Sequence, residues 1–591
     1  MLDFSRCRDV WVPDESEAGG FWSPPPAHVR YGVEQILAHP YFLLADDMGG
    51  MKTAQAIIAA QFLFAQGTID RVIVIATAAI RSKVWFDKDL GQLIEQVWHD
   101  TRNVVSEYHQ KIKSWAHGPE DQPPLKWIVT NYELIRAKNH LAVILPYCGP
   151  KTFLILDESS AVRSHSSKQT EACMLLRWKS KKNRKGVEIP IHGAARCGRI
   201  LELNGTPVAE SPLDMFSQGN LLHPSVLDCR YITLYKSRYA IQEKVLSTHK
   251  KDAQGNALPL LDQWNRPILT IKAGEEGWTN LADLQRRFAP HVLRREAKDF
   301  GIDFALPPVG FDVPLTETTW RMYNDMRKEL VVWLQTGVVT AAQAGVKAIR
   351  LAQITSGFIG GIEDSGLDDG RMPYDHTATC PAMHNGHGIG TFACDCGADV
   401  VRQTMDGPPP LTIEIGREKL DFALAWQAEL LKHDPNLKLL SWMRFVPELR
   451  RYLAEVKKFG HEVGAACGEA VLGGRMKDER ENALRLLHPK TAPEGAVTVG
   501  ATQGTGAMGL NFTACHTVMD ISYDASPWKK RQGDARVNRT GQTRPVNFFY
   551  LTATGPKGQR TIDTHLMLLR LNKMRVADLT VSGWVKMLEE E

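Results

Sequence analysis

At 591 residues the chain is too long for one hydrophobic core, and about three or four domains are expected. Its 43% apolar and 23% charged residues are those of a globular protein, and no apolar run approaches the ~18 residues of a membrane span. The net charge of +4 is too small to argue for a polyanionic partner from global charge, so any such partner has to be held by local patches.

Met1 to Asp9 lack the basic, apolar, small-residue order of a secretory signal, so a cytoplasmic protein is expected. Ten Cys in this length are not a disulfide framework. Seven are scattered, as buried reduced thiols would be, and Cys380, Cys394 and Cys396 are bunched.

A Pro-rich approach (Pro24-Pro25-Pro26) leads into a short helical pattern through Tyr31, Val33 and Ile36-Leu37. The apolar run Tyr41 to Ala45 then reads as a buried strand, followed by Asp46-Asp47-Met48-Gly49-Gly50-Met51-Lys52-Thr53 and an alanine-rich helix from Ala54 to Phe64. Strand, glycine turn, Lys-Thr, helix is the layout of a phosphate-binding loop. Backbone N–H groups at the helix start cradle phosphates, Lys52 reaches the β/γ-phosphates, and the Thr53 hydroxyl holds Mg²⁺. The usual Gly before the Lys is replaced here by Met51. A strand–turn–helix with a chance Lys-Thr pair is the plain alternative.

Further buried strands are expected at Val72 to Ala76, Trp127 to Thr130 and Thr152 to Leu156. The last ends in Asp157-Glu158. Two carboxylates at the C-terminal edge of a parallel sheet stand where ligands bind in open α/β folds. Asp157 can hold Mg²⁺ and Glu158 can polarise an attacking water. Two solvated acids at a strand end are the alternative. Arg177-Trp178-Lys179-Ser180-Lys181-Lys182-Asn183-Arg184-Lys185 is a basic run that could contact phosphates or form a solvated loop. Leu201 to Leu203 is another strand, ending in the turn Asn204-Gly205-Thr206-Pro207.

Residues from about 210 to 300 read as helices with loops, and Leu315 to Ile359 as more helix. Residues 361–412 are rich in Gly, Asp, His and Pro, and carry Cys380-x₃-His384-x₂-His387-x₆-Cys394-x-Cys396. Thiolate and imidazole ligands at such spacings suit a four-coordinate structural zinc, with five candidates for four places. A polar loop with incidental Cys and His is the alternative. A second α/β half follows, with strands at Lys438 to Trp442, Val497 to Gly500, His516 to Ile521 and Phe548 to Leu551, and a helix from Val446 to Val456. Gln532 to Arg539 is expected to place Arg536 and Arg539 on one helix face, able to reach phosphates across a cleft. The tail, 561–588, reads as helix.

In this order the motifs resemble those of the Swi2/Snf2 family of superfamily 2 helicase-like ATPases, in its compact phage- or bacterium-encoded form. The resemblance runs from about residue 28 to 580. Asp46 to Thr53 is similar to the family's Asp-Glu-Met-Gly-x-Gly-Lys-Thr, and Val72 to Thr77 with Trp85 to its next motif. Thr130 to Glu133 resembles its T-x-Y-E segment. Asp157-Glu158-Ser159-Ser160 stands for Asp-Glu-Ala-His, with Ser160 replacing the His. Leu203 to Pro207 resembles Leu-Thr-Gly-Thr-Pro, and Val292 to Arg295 its Leu-Arg-Arg segment. Gly506 to Phe512 and Gln532 to Gln542 match the fifth and sixth motifs, the most specific of all.

The resemblance implies an α/β fold of two RecA-like parallel-sheet lobes with ATP and Mg²⁺ between them. Its parts are an ATP-binding lobe at 1–209, a helical insertion at 210–310 and a helical segment opening the second lobe at 311–360. Then come the Cys/His-rich insertion at 361–412, the second lobe at 413–555 and a C-terminal helical brace at 556–591. Catalysis is implied for Lys52, Asp157, Glu158, Arg536 and Arg539. Nucleotide contact is implied for Gln35, Asp47, Met48, Gly49, Gly50, Met51, Thr53, Ala54, Gly509 and Gln532. DNA contact or coupling is implied for Thr206, Thr505 and Asn511.

The activity implied is an ATP-driven translocase on double-stranded DNA, bound through its phosphates. A poorly hydrolysing ATP-gated clamp and a strand-separating helicase are the alternatives. The Cys/His-rich insertion could recruit a protein partner or touch DNA.

Overall fold

The structure, a computed structural model, describes residues 25–77, 85, 99–101, 105–110, 125–184, 186–205, 211–244, 246–251, 257–259, 267, 269–271, 277–302, 304–335, 341–359, 412–503, 512–524, 527–539 and 542–570. Two largely parallel sheets organise these residues, one built from strands up to Leu293 and one from strands from Val309 onward.

The first lobe runs α1 (Ala27–Ala38), β1 (Tyr41–Leu44), α2 (Lys52–Ala65), β2 (Arg71–Ala76), β3 (His99–Thr101), β4 (Val105–Gln110), β5 (Leu125–Asn131) and β6 (Thr152–Asp157). It continues through α3 (Lys168–Arg177), β7 (Trp178–Lys182), β8 (Glu188–Ala195), β9 (Arg199–Leu203), α4 (Asp214–Leu222), α5 (Leu281–Phe288) and β10 (Val292–Leu293). Its eight-stranded sheet has the order β10-β1-β9-β6-β2-β5-β4-β3. The first six are parallel and β4 and β3 are antiparallel additions.

The parallel strands are apolar on both faces, as a sheet covered on both sides requires. Phe42 and Leu44 of β1, Val72 and Val74 of β2 and Phe153 and Ile155 of β6 pack under α1 and α2. The alternate residues Leu43, Ile73, Ile75, Leu154 and Leu156 pack under α3 and α4.

The second lobe contains β11 (Val309–Pro314), α6 (Glu317–Gln335), α7 (Ala341–Thr355), α8 (Glu418–His433), β12 (Lys438–Met443), α9 (Val446–Val456), β13 (Glu462–Ala466) and α10 (Met476–Leu487). It closes with β14 (Val497–Thr502), β15 (Thr517–Asp520), α11 (Pro527–Asp534), β16 (Asn547–Thr554) and α12 (Ile562–Arg570). Its six parallel strands lie in the order β11-β16-β15-β12-β14-β13.

Several elements differ from the sequence expectation. The 210–300 stretch, expected as helices with loops, also carries short strands at Gln242–Lys244, Leu246–Lys251, Ala257–Pro259 and Leu269–Ile271. β11 is an unexpected edge strand. Pro307-Pro308 before its start, Pro314 at its end and exposure of most of its side chains disguise it, and an edge strand tolerates all of these. β13 lacks branched residues except Val463. A Cβ on its Gly464 would lie 3.1 Å from the Ala483 Cα and 2.9 Å from Leu486, so Gly464 lets α10 close onto the sheet. The basic run forms the β7–β8 hairpin.

A buried ion pair ties α12 to the second sheet. Lys419 Nζ donates to Asp563 at 2.6 Å and to the Ile521 carbonyl at 2.8 Å. Asp563 also accepts from Thr355 Oγ1 at 2.8 Å and from the Ala553 N–H at 3.1 Å. Beside this knot Glu448 accepts a hydrogen bond from Ser522 Oγ. Burial pushes the Glu448 carboxyl up to about 7, against the opposing pull of Lys419.

A raised carboxyl favours its protonated form in the folded state. Its stabilising contribution is therefore complete below the unfolded value near 4.3 and is lost as pH rises through about 7. Glu448→Gln should remove this slope. The stability of the variant relative to the parent should rise by about 2–3 kcal/mol between pH 5 and pH 8. Urea unfolding at the two pH values checks this, and a pH-independent difference would contradict it.

Candidate nucleotide and phosphoryl-transfer site

The C-terminal edge of the first sheet carries the site. β1 ends at Leu44 and delivers Asp46 to Met51 as the loop before α2. The loop is held by its own polar groups. Gln55 Nε2 donates to Gly50 O at 2.6 Å and to Asp46 Oδ2 at 3.2 Å. Lys52 Nζ donates to the carbonyls of Asp46 at 2.7 Å and Asp47 at 3.2 Å. Gly49 has φ +93°, and a Cβ there would meet Ile302 at 2.7 Å. A Cβ on Gly50 would meet Asp46 at 2.9 Å and Phe300 at 3.0 Å.

Met51 stands in the left-handed region (φ 56°, ψ 37°), a conformation glycine adopts freely and other residues adopt at a cost of about 1–2 kcal/mol. Its side chain packs against the apolar cluster under α1 and α2. The loop therefore keeps the backbone path of a glycine-containing turn, with methionine strain in place of the glycine. Thr53 and Ala54 lie in the first turn of α2, where backbone N–H groups have no partner within the helix.

Asp157 is the last residue of β6, 7% exposed, and Trp85 Nε1 donates to its Oδ2 at 2.8 Å. Burial, then the charge of Glu158, raises its carboxyl to about 6, while the Trp85 bond and Lys52 pull the other way. Glu158 is left-handed as well (φ 54°, ψ 56°), and its Oε2 is buried without a hydrogen-bond partner. A buried orphan acceptor beside a strained backbone is the signature of a site built for something else to fill. Burial lowers the Lys52 ammonium, opposed by Glu158, Asp46, Asp157 and Asp47 in that order.

The second lobe brings Arg536 and Arg539 to the same place. They stand past the end of α11 in a turn, closed by Arg536 N–H to Gly533 O (3.1 Å) and Asn538 N–H to Asp534 O (2.8 Å). The expected shared helix face is thus replaced by a turn, because the helix ends at Asp534. Burial, then Arg539, lowers Arg536 to about 10, and Glu158 and Asp157 oppose the shift. A Cβ on Gly49 would lie 3.6 Å from the Cβ of Arg539, so the phosphate loop and the arginine turn touch. Gln532 is buried and its Oε1 is without a hydrogen-bond partner.

Gln35 is half-buried one turn along α1 from Tyr31, and only its carbonyl takes part in a described side-chain bond, with His39 Nδ1 at 2.8 Å. Thr206, Thr505, Gly509 and Asn511 lie outside the described residues, as do Cys380, His384, His387, Cys394 and Cys396. Among the described residues no group of His, Cys, Asp or Glu is arranged as a metal cluster.

Three partners escaped the sequence reading as site residues. Arg295 makes a two-pronged pair with the fully buried Asp46, Nε to Oδ1 at 2.9 Å and Nη2 to Oδ2. Its Nη1 donates to His28 O at 2.7 Å, and its guanidinium lies over Phe300 and Tyr31. Trp85 holds Asp157. Gln218 of α4 accepts at one oxygen from Ser159 Oγ (3.1 Å) and Asn204 Nδ2 (3.2 Å), bridging the ends of β6 and β9. Trp85 and Arg295 fall in family-like motifs, but the contacts of all three join residues far apart in sequence, so no local pattern gave their roles.

No protein-family model matches the chain. Short segments match curated proteins. One is the chromatin-remodeling ATPase INO80 of Mycosarcoma maydis, 34% identical over 92 residues, which are 16% of this chain and 4% of that protein. The Danio rerio chromodomain-helicase-DNA-binding protein 1-like is 28% identical over 185 residues, 30% of this chain and 16% of that protein. The human TATA-binding protein-associated factor 172 is 33% identical over 81 residues, 14% and 4% of the two chains. The chain therefore matches only a small part of the length of each relative. The Sulfolobus solfataricus SWI2/SNF2 ATPase core in complex with dsDNA aligns over 96% of this chain and 95% of that one, at 15% identity and a TM-score of 0.33.

Arg295→Ala should leave the Asp46 carboxylate buried and unpaired, costing about 3–5 kcal/mol in urea unfolding. The double variant with Asp46→Asn should recover a large part of the loss. A loss below about 1 kcal/mol in the single variant would contradict the role given to the pair. In its motif order and in these short stretches of sequence, the chain is similar to the Swi2/Snf2-family ATPases.

Proposed function

We propose that the chain is an ATP-driven translocase or remodeller on double-stranded DNA, hydrolysing ATP between its two lobes. One observation carries this reading. The buried Asp157 and the half-buried Lys52 and Glu158 of the first lobe lie in one electrostatically interacting cluster with the half-buried Arg536 and Arg539 of the second. The glycine loop, the two left-handed non-glycine residues and the orphan buried carboxylate oxygen beside these charges support a functional site over a purely structural ion-pair network.

In this reading the first-turn N–H groups of α2 and the Lys52 ammonium hold the β/γ-phosphates. Lys52 now rests on the Asp46 and Asp47 carbonyls, which keep it aimed along the loop. Thr53 and Asp157 would hold Mg²⁺, which neutralises phosphate charge when bound. Trp85 fixes the Asp157 carboxylate by its indole N–H. The Glu158 Oε2 is the acceptor that orients a water for attack. Arg536 and Arg539 remain cationic at neutral pH and stabilise charge on the transferred phosphoryl group.

Duplex DNA is the substrate in this reading because the relatives include a chromatin-remodeling ATPase and a chromodomain-helicase-DNA-binding protein. Thr206, Thr505 and Asn511 are the DNA-side or coupling residues in this reading, Gly509 joins the nucleotide contacts, and the Cys/His-rich insertion is a structural zinc module that recruits a partner. A compact motor in the cytoplasm of a bacterial or phage-infected cell is the setting. A second reading, a clamp that closes on ATP and hydrolyses it poorly, is favoured by the left-handed Met51 and by Ser160. A strand-separating helicase would in addition unwind a tailed duplex.

Lys52→Ala should abolish turnover because the phosphates lose their cation. Unchanged turnover in that variant would overturn the site. Arg539→Ala should bind ATP normally and hydrolyse it about 10³-fold more slowly. Parental turnover in Arg539→Ala, measured alongside ATP binding, would mean that the lobes do not share the site.

A further inference from the structure

We propose that the β7–β8 hairpin is a second nucleic-acid contact, a basic ribbon that grips phosphates outside the motor cleft. The proposal rests on the duplex reading of the motor and adds a surface to it.

The hairpin leaves the first lobe at the edge opposite the nucleotide site. β1, β6 and β9 begin together at Tyr41, Thr152 and Arg199, and β8 ends four residues before β9 begins. The Asp157 end of β6 lies ~16 Å away along the strand. The hairpin is therefore no part of the ATP machinery.

Its base is riveted to the core. Arg177 is 2% exposed and donates to the carbonyls of Cys197, Leu221 (3.1 Å) and Leu222 (3.0 Å). The fully buried Trp178 stacks on Arg177, 4.4 Å from guanidinium to ring centroid, and donates to Asn220 O at 3.2 Å. Arg196 clamps the other strand, with Nε to Leu175 O (3.1 Å) and Nη2 to Ser180 Oγ (3.2 Å). The far turn is set by Asn183, which exchanges bonds with Val187 (N–H to O 2.9 Å, Oδ1 from N–H 3.0 Å), and by Gly186 at φ +73°.

On the strand between these two ends Lys179, Lys181 and Lys182 are exposed, and so is Arg184 within the turn. None of the four has an ion-pair partner among the described residues. From Trp178 to Ala195 the sequence carries five cations and one acid, Glu188, a surplus equal to the +4 of the entire chain. Glu188 faces Lys182 across the ladder.

Strand alternation puts Lys179 and Lys181 on one face and Lys182 on the other, so the ribbon is cationic on both sides. Lys179 and Lys181 are ~6.7 Å apart along the strand, close to twice the ~3.4 Å axial spacing of charges along one DNA strand. A two-stranded ribbon also has the width a major groove admits. Protein interfaces are depleted in Lys and rely on aromatic anchors, and no Phe, Tyr or Trp lies between Lys179 and Ala195. Those features favour a phosphate backbone over an acidic protein as the occupant.

The test is the salt dependence of binding of the full chain to a labelled duplex of mixed sequence, ~40 base pairs long and long enough to reach beyond one module. Lys179→Gln, Lys181→Gln, Lys182→Gln and Arg184→Gln are combined in one variant. The slope of log Kobs against log salt should become shallower by about 3.6 when all four cations contact phosphates, since each contact contributes ~0.9. Interchanging Lys and Arg at the four positions should restore the slope, which separates charge from folding. A Gln variant that binds with the parental slope and affinity overturns the proposal and points to an acidic protein surface instead. Absence of salt-dependent duplex binding by the parent overturns the duplex reading of the motor itself.

Discussion

The Asp46–Arg295 ion pair is where the phosphate loop, the first sheet and the path to the second sheet meet. Asp46 is fully buried at the start of the loop. Arg295 follows β10, the edge strand that pairs with β1. A carboxylate there would be intolerable without a partner, and the two-pronged guanidinium supplies one with fixed geometry. The segment beyond Arg295 then works along both lobes. Ala297 N–H donates to Asp47 Oδ2 at 3.2 Å, and Ile302 fills the space beside Gly49. Phe304 packs on the second core, and Leu306 and Val546 join the segment to the second sheet. One short stretch thus touches the phosphate loop at one end and the second lobe at the other.

Strain and charge are concentrated around that junction. Met51 and Glu158 both hold left-handed backbone without being glycine, one at the start of α2 and one just past the end of β6. Each costs about 1–2 kcal/mol, and such costs persist where the surrounding structure over-determines them. Around them the half-buried Lys52 and Arg536 interact with Asp157 and Glu158, and Arg539 stands beside Arg536. Cations from both lobes and acids from one thus share one set of electrostatic interactions, and in the proposed reading such fixed charges act most strongly on a reaction.

The sequence was most readable where burial was most complete. β1, β2, β5 and β6 are continuous apolar runs because both faces are covered, and the phosphate loop and the Asp157-Glu158 pair stand at their ends. β11 was hidden because an edge strand needs no apolar run, and β13 because Gly464 and two alanines serve close packing. Arg536 and Arg539 were legible as a pair, yet their spacing suggested a helix that ends two residues too early. Trp85, Gln218 and Arg295 act through contacts spanning 72, 59 and 249 residues of sequence, and periodicity carries no record of such contacts. The basic run left open whether it was loop or phosphate contact, because charge pattern alone says nothing of the rigid base that Arg177 and Trp178 provide.

The most direct test of a duplex-driven motor is the steady-state rate of ATP hydrolysis by the full chain without nucleic acid, with single strands, and with duplex DNA. The account predicts a low basal rate and strong stimulation by duplex, which would also show that a methionine in the left-handed position of the loop supports turnover. A rate that stays near zero in all three conditions while the duplex is bound would contradict it and leave an ATP-gated clamp.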